Sequence, residues 1–112
     1  LRFRVSIFNV PGIFEIPFAI RKNINKFDGF IALGCVIKGQ TPHFDLICSS
    51  TFNAIQSLSI NYCKPIGNGI ITALNIAQAK DRSKKTEFKK PNKGSEAAKA
   101  VITMLKNGPK QI

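Results

Sequence analysis

No apolar run in this 112-residue chain approaches the ~18–20 residues a helix needs to cross a bilayer. The longest, 29–37, is bounded by Asp28 and Lys38 and has the length of one buried strand. A secretory-leader pattern is also missing from the opening residues. They form an apolar/basic alternation (Arg2, Phe3, Arg4, Val5) without an initiating methionine, which reads as a start partway through a domain. Acidic residues are scarce: six Asp+Glu face seventeen Lys+Arg, a formal net charge of +11. That balance raises nucleic acid or anionic small molecules as partners. Only three cysteines occur, Cys35, Cys48 and Cys63, with no C-x-x-C and no Cys/His cluster at zinc spacing, so no metal is expected. Free thiols at apolar positions fit a reducing, cytoplasmic compartment. Neither G-x-x-x-x-G-K-[ST] nor G-x-G-x-x-G appears, which excludes the common nucleotide-binding loops.

What is present is enough apolar material, 44% of residues, to bury a core, so disorder is excluded and 1–112 reads as a single domain. The positive charge is concentrated between Lys80 and Lys93, where six lysines and Arg82 stand against Asp81 and Glu87. A solvated basic face accounts for such a run; a basic nucleic-acid-binding module is the alternative. Against that alternative, Phe88 is the only aromatic among these charges and no nucleic-acid motif is present.

The hydrophobic periodicity alternates between strand and helix. Residues 3–10 (FRVSIFNV) alternate as a strand that Pro11-Gly12 ends. Over 15–26, Ile16, Ala19, Ile20 and Ile24 fall on one helical face, with Pro17 tolerable in the first turn. The run 30–37 (FIALGCVI) is apolar on both faces, as in a buried parallel strand. Phe44, Ile47, Cys48, Phe52, Ile55, Leu58 and Tyr62 step by three and four along a longer helix that stops near Lys64-Pro65. A strand over 66–72 contains two glycines, and Asn75 with Gln78 marks the N-cap of a short helix to about Ser83. The last helix spans about 92–106, with Ala98, Val101, Ile102 and Leu105 inward and Gly108-Pro109 as its stop. The order β-α-β-α-β-α-α implies an α/β fold with a parallel sheet between two helical layers.

Ligands of open α/β sheets bind beyond the carboxyl ends of the strands. Three such ends carry polar groups, the first two with a glycine: Gly12 to Glu15, Lys38 to His43, and Thr72 to Asn75. The middle one is the most informative. Thr41 is placed as an N-cap with Pro42 at the first helical position. The helix start then offers free N–H groups and a positive dipole end to a phosphate, with Gly39 allowing close approach and Gln40 and Thr41 adding donors. An ordinary capped helix without ligand accounts for the same spacing. His43, the only histidine, sits in that first turn; it serves either as a proton acceptor or as a packing residue. Glu15 either suits a helix start for local reasons or accepts hydrogen bonds from substrate hydroxyls. A Cys35–His43 nucleophilic pair is disfavoured because Cys35 falls in the buried strand.

The strings VPGIFEIPFA (10–19), ALGCVIKGQTPHFD (32–45), NGIIT (68–72), Asn75…Gln78-Ala79…Arg82 and NKGSEAA (92–98) resemble the lumazine synthase family over most of the chain. The resemblance implies a flavodoxin-like, three-layer α/β/α fold, here without the family's first strand and helix. It implies condensation of 5-amino-6-ribitylaminouracil with 3,4-dihydroxy-2-butanone 4-phosphate to 6,7-dimethyl-8-ribityllumazine, phosphate and water, with no metal or organic cofactor. It makes His43 the general acid/base, and Gly39, Gln40 and Thr41 the phosphate-holding turn. Arg82 becomes the phosphate clamp, Ile13 and Glu15 the ribityl contacts, Val36 and Ile37 the backbone contacts to the pyrimidine, and Lys93 the lysine near its carbonyl. Asn68 stands where the family often has Phe against the ring. Family sites lie between adjacent subunits, so a homo-oligomer is expected. The 82–93 segment is longer than in members that form sixty-subunit shells, which favours a homopentamer. No membrane and no nucleic acid partner is expected, and a noncatalytic homologue is the remaining alternative.

Overall fold

Pro11 and Gly12 end the extended opening of the chain, and a 3-10 turn over Ile13–Glu15 leads into helix α1, Ile16–Lys22. The computed structural model describes residues 2–84 and 92–107. Strand β1 is Phe30–Ile37, α2 His43–Tyr62, β2 Ile66–Ala73, α3 Ile76–Ser83 and α4 Lys93–Lys106. β1 and β2 pair in parallel, Phe30 opposite Ile66 through Ile37 opposite Ala73. The fold is α/β, with helices on both faces of the parallel pair.

Side-chain alternation along the two strands sorts the layers. On the inner face, Ala32 and Ile70 join Ile13, Ile16, Ile20 and Ile24 and the α2 residues Cys48 and Ile55 in the main core. Phe44, Ile47, Phe52 and Leu58 pack against it, as their spacing predicts. Tyr62 ends that stripe at the surface, with the Arg21 guanidinium 4.8 Å from its ring centroid. On the outer face, Ile71, Ala73 and Ala79 form a small second cluster. There α4 lies against Gly67 and Gly69, and a methyl on Gly67 would collide with the Ala97 carbonyl. The glycines that weaken β2 by propensity are what let α4 approach it.

Several sequence expectations are corrected. Residues 3–10 do not form a strand; 3–9 lie exposed and only Val10 packs against the core, because alternation cannot substitute for a ladder partner and β1–β2 is the pairing found among the described residues. Phe8 nevertheless stacks edge-on to Phe27 at 5.8 Å, and Phe27 to Phe30 at 5.9 Å, tying that segment to the foot of β1. The first helix ends at Lys22 rather than near 26, since the Asn23 side chain donates to the Ala19 carbonyl at 2.8 Å and closes the turn. β1 is buried on one face only: Ile31, Leu33, Cys35 and Ile37 are exposed, because α4 sits over β2. In α4 the inward residues are Ala97 and Val101, with Ala98 and Ile102 half-buried and Leu105 exposed. The Gly67–Gly69 groove admits the narrow Ala97 side of that helix. The Asn75 cap is found as expected, accepting from Gln78 N–H at 2.9 Å, and Asn92, at the expected start of the last helix, also acts as a cap, accepting from Ser95 N–H at 2.7 Å. Residues 85–91 and Gly108-Pro109 lie outside the described residues.

The α2–β2 connection is made by polar contacts. Cys63 adopts the left-handed conformation (φ 52°, ψ 47°) that glycine usually supplies at a helix end. The Ser59 hydroxyl donates to the Lys64 carbonyl at 2.7 Å. Lys64 Nζ donates to the carbonyls of Ile24 and Phe27, the latter at 2.9 Å, binding the foot of β2 to the loop before β1. Two substitutions therefore act in opposite directions in thermal or denaturant unfolding. Gly67→Ala is expected to destabilise by about 1–3 kcal/mol through overpacking. Cys63→Gly, which removes the left-handed penalty, is expected to be neutral or to stabilise by up to ~1 kcal/mol.

Candidate functional site

The ladder closes with Val36 opposite Thr72 and Ile37 opposite Ala73, and Lys38 N–H donates to the Ala73 carbonyl at 2.8 Å. The chain thus leaves both strands at one edge. From β1 it enters the exposed bend Lys38–Thr41, in which a side chain on Gly39 would meet nothing within 4 Å. Such open backbone can approach a ligand closely.

Helix α2 begins at His43, with Pro42 (φ −69°, ψ 0°) as its cap residue and the Pro42 carbonyl accepting from Leu46 N–H at 3.2 Å. The cap is therefore one residue later than expected. The Thr41 hydroxyl still takes the His43 N–H, at 3.4 Å, which is the bond a capping side chain makes to the second residue on. Gln40, Thr41 and His43 are all exposed, so the imidazole is open to a ligand at the strand edge. The same helix carries Cys48 inside the core; burial, and then the Asp45 carboxylate, push its thiol up, keeping it protonated and unreactive.

On the inner layer, Ile13 is buried and packs its side chain against Gly34, leaving its backbone as what it can offer a ligand. Glu15 is half-buried, and its Oε1 folds back over Gly12, 3.2 Å from where a methyl there would sit. Val36 turns to this inner layer, whereas Ile37 faces outward and is exposed. Asn68 lies opposite Ala32, and its Oδ1 accepts from the Ile70 N–H at 3.0 Å, so that oxygen is engaged by its own strand.

The outer layer supplies the cations. Arg82 is exposed on α3 and its Nη1 donates to the Thr72 carbonyl at the end of β2. Lys93 is the first residue of α4, next to Gly94, whose added methyl would stand 3.6 Å from Leu33. The structure therefore gathers Ile13, Glu15, Val36 and His43 on the α1/α2 side and Arg82 and Lys93 on the α3/α4 side. Cys35, exposed rather than buried, turns to the outer face, away from the layer that holds His43; the nucleophilic pair fails on orientation. The Thr72 carbonyl was not foreseeable as the partner of Arg82, because a backbone acceptor leaves no trace in residue identity. Gln78 was signalled by its place in a capping box. Its Oε1 accepts from Leu74 N–H at 2.9 Å, one residue before the amide such a box normally engages.

Among the described residues no three His, Cys, Asp or Glu side chains come together as a metal site, and no helix is long and apolar enough to cross a membrane. Residues 2–108 match the 6,7-dimethyl-8-ribityllumazine synthase family. The chain is similar to the 6,7-dimethyl-8-ribityllumazine synthase of Campylobacter curvus (strain 525.92), 43% identical over 103 residues, covering 90% of this chain and 64% of that protein. The synthase of the same name from Afipia carboxidovorans is 39% identical over 108 residues, with 90% and 64% covered. That of Aliarcobacter butzleri is 43% identical over 98 residues, with 86% and 61% covered. The chain thus spans a little under two thirds of the length of these curated relatives. On a match that runs through nearly all of its residues, the chain belongs to the 6,7-dimethyl-8-ribityllumazine synthase family.

Proposed function

We propose that this chain carries the catalytic part of a lumazine synthase, a transferase of riboflavin biosynthesis. It condenses 5-amino-6-ribitylaminouracil with 3,4-dihydroxy-2-butanone 4-phosphate to give 6,7-dimethyl-8-ribityllumazine, phosphate and water. The observation that carries the reading is the family match together with His43 and Arg82 standing at the same edge of the parallel pair. The amine adds to the ketone, a first water leaves to form a Schiff base, phosphate is eliminated, and the ribityl-bearing nitrogen closes the ring on the remaining carbonyl with loss of a second water. None of these steps needs a metal or an organic cofactor. Holding two substrates together supplies most of the acceleration, and a side chain that relays protons supplies the rest.

His43 relays the protons from its exposed position at the start of α2. The Gly39-Gln40-Thr41 bend and the α2 N-terminus hold the phosphate, with Arg82 as a planar, multi-donor clamp. Glu15 and the Ile13 backbone receive the ribityl chain, Val36 and Ile37 contact the pyrimidine through their backbone, and Lys93 faces its carbonyl. Asn68 takes the ring-facing place from the neighbouring subunit. The family resemblance puts the complete site between copies, which the placing of the imidazole and the two cations on opposite layers of one chain supports, and the long 82–93 segment favours a homopentamer. The free thiols support a cytoplasmic location.

His43→Ala is expected to slow formation of the fluorescent lumazine about 10²-fold while leaving the unfolding transition in place. Equal loss of folding would make the histidine structural. Arg82→Ala is expected to raise KM for the butanone phosphate at least about tenfold, with little change in KM for the uracil. Light scattering on the protein should give a pentamer; a megadalton particle would show shell assembly instead.

A further inference from the structure

Helix α3 is eight residues long and buries only Ala79, so apolar packing alone holds it weakly. What ties it to the sheet is a pair of polar rungs. Gln78 Oε1 accepts from Leu74 N–H at 2.9 Å, and Arg82 Nη1 donates to the Thr72 carbonyl. Gln78 and Arg82 are one helical turn apart, about 6 Å along the axis. Thr72 lies in β2 and Leu74 in the bend just past its end, one residue beyond Ala73. The order of the two bonds is reversed relative to the helix because α3 doubles back along β2. Asn75 Oδ1 accepts from the Gln78 N–H at 2.9 Å, so Gln78 is held at its backbone as well as at its tip.

From this geometry we infer that Gln78 is a positioning residue for the guanidinium of Arg82. The inference rests on the reading of Arg82 as the phosphate clamp. A guanidinium has five N–H donors, and Thr72 occupies one of them. Among the described residues no other hydrogen bond engages the rest, which leaves them for an anion at the strand edge. Gln78 sets the height of α3 on β2 at which the Thr72 rung can form. Without it, the arginine keeps its charge and loses its aim.

The test is a double-mutant cycle on the full chain. Gln78→Met keeps the side-chain length and removes the acceptor; Gln78→Asn keeps the carboxamide but cannot reach Leu74, and stands in should the first variant fold poorly. Either is expected to speed hydrogen exchange at the Leu74 amide. Either should also raise KM for the butanone phosphate about fivefold, with kcat and KM for the uracil within about twofold of the parent. In an Arg82→Ala background the same change should leave that KM unaltered. Unchanged Leu74 exchange overturns the rung. A fivefold effect that persists without Arg82, or one that falls equally on both substrates, makes Gln78 merely structural and overturns the inference while leaving Arg82 as the clamp. An Arg82→Ala variant whose phosphate-substrate KM is unchanged overturns the clamp itself, and the inference with it.

Discussion

The parallel ladder between β1 and β2 is the constraint from which the candidate site follows. Two eight-residue strands extend about 26 Å each, and the twenty-residue helix between them returns the chain by about 30 Å. That match lets α2 begin beside the end of β1 and finish beside the start of β2. Both strands then release the chain at one edge, with Ile37 level with Ala73. A histidine at the first position of α2 and an arginine reaching back from α3 meet the same boundary without being neighbours in sequence.

The two sides of that ladder are held by different means. On the inner side, isoleucines of α1 and its flanking turns interlock with α2 over Ala32 and Ile70, a core that rests on side-chain volume. On the outer side, glycines at 67 and 69 bring α4 down to backbone contact, and α3 hangs on Ala79 and two hydrogen bonds. The Arg82 clamp proposed for the phosphate therefore rests on the lightly packed layer, where small polar contacts decide aim, while the phosphate-holding bend leads into the heavily packed one. The proposed proton relay stands on the heavily packed one. Exposed Ile31, Leu33 and Ile37 beside α4 mark the part of the sheet that this arrangement leaves uncovered.

Elements with their own local signals were legible in the sequence. β1 could be bounded between Asp28 and Lys38, the α2 stripe was set by steps of three and four, and Asn75 and Asn92 announced two helix starts. Features that depend on a distant partner were not. Residues 3–10 alternate like a strand but have no ladder to join, and an apolar 30–37 looks buried on both faces although α4 lies over its neighbour. The choice of Ala97 over Leu105 as the inward side of α4 is made by Gly67, which periodicity on α4 cannot report. At the site, residue identity pointed to His43 and Glu15, and only the family resemblance to Arg82. It was silent on the Thr72 carbonyl and on which layer each group occupies.

The most direct test of the central claim is a structure of the assembled protein with inorganic phosphate bound. The account places the ion at the strand edge, between the Gly39-Gln40-Thr41 bend with its His43 imidazole on one protomer and the Arg82 guanidinium of the next. A phosphate lodged away from that edge, or an assembly in which no second chain brings its arginine to the bend, contradicts it.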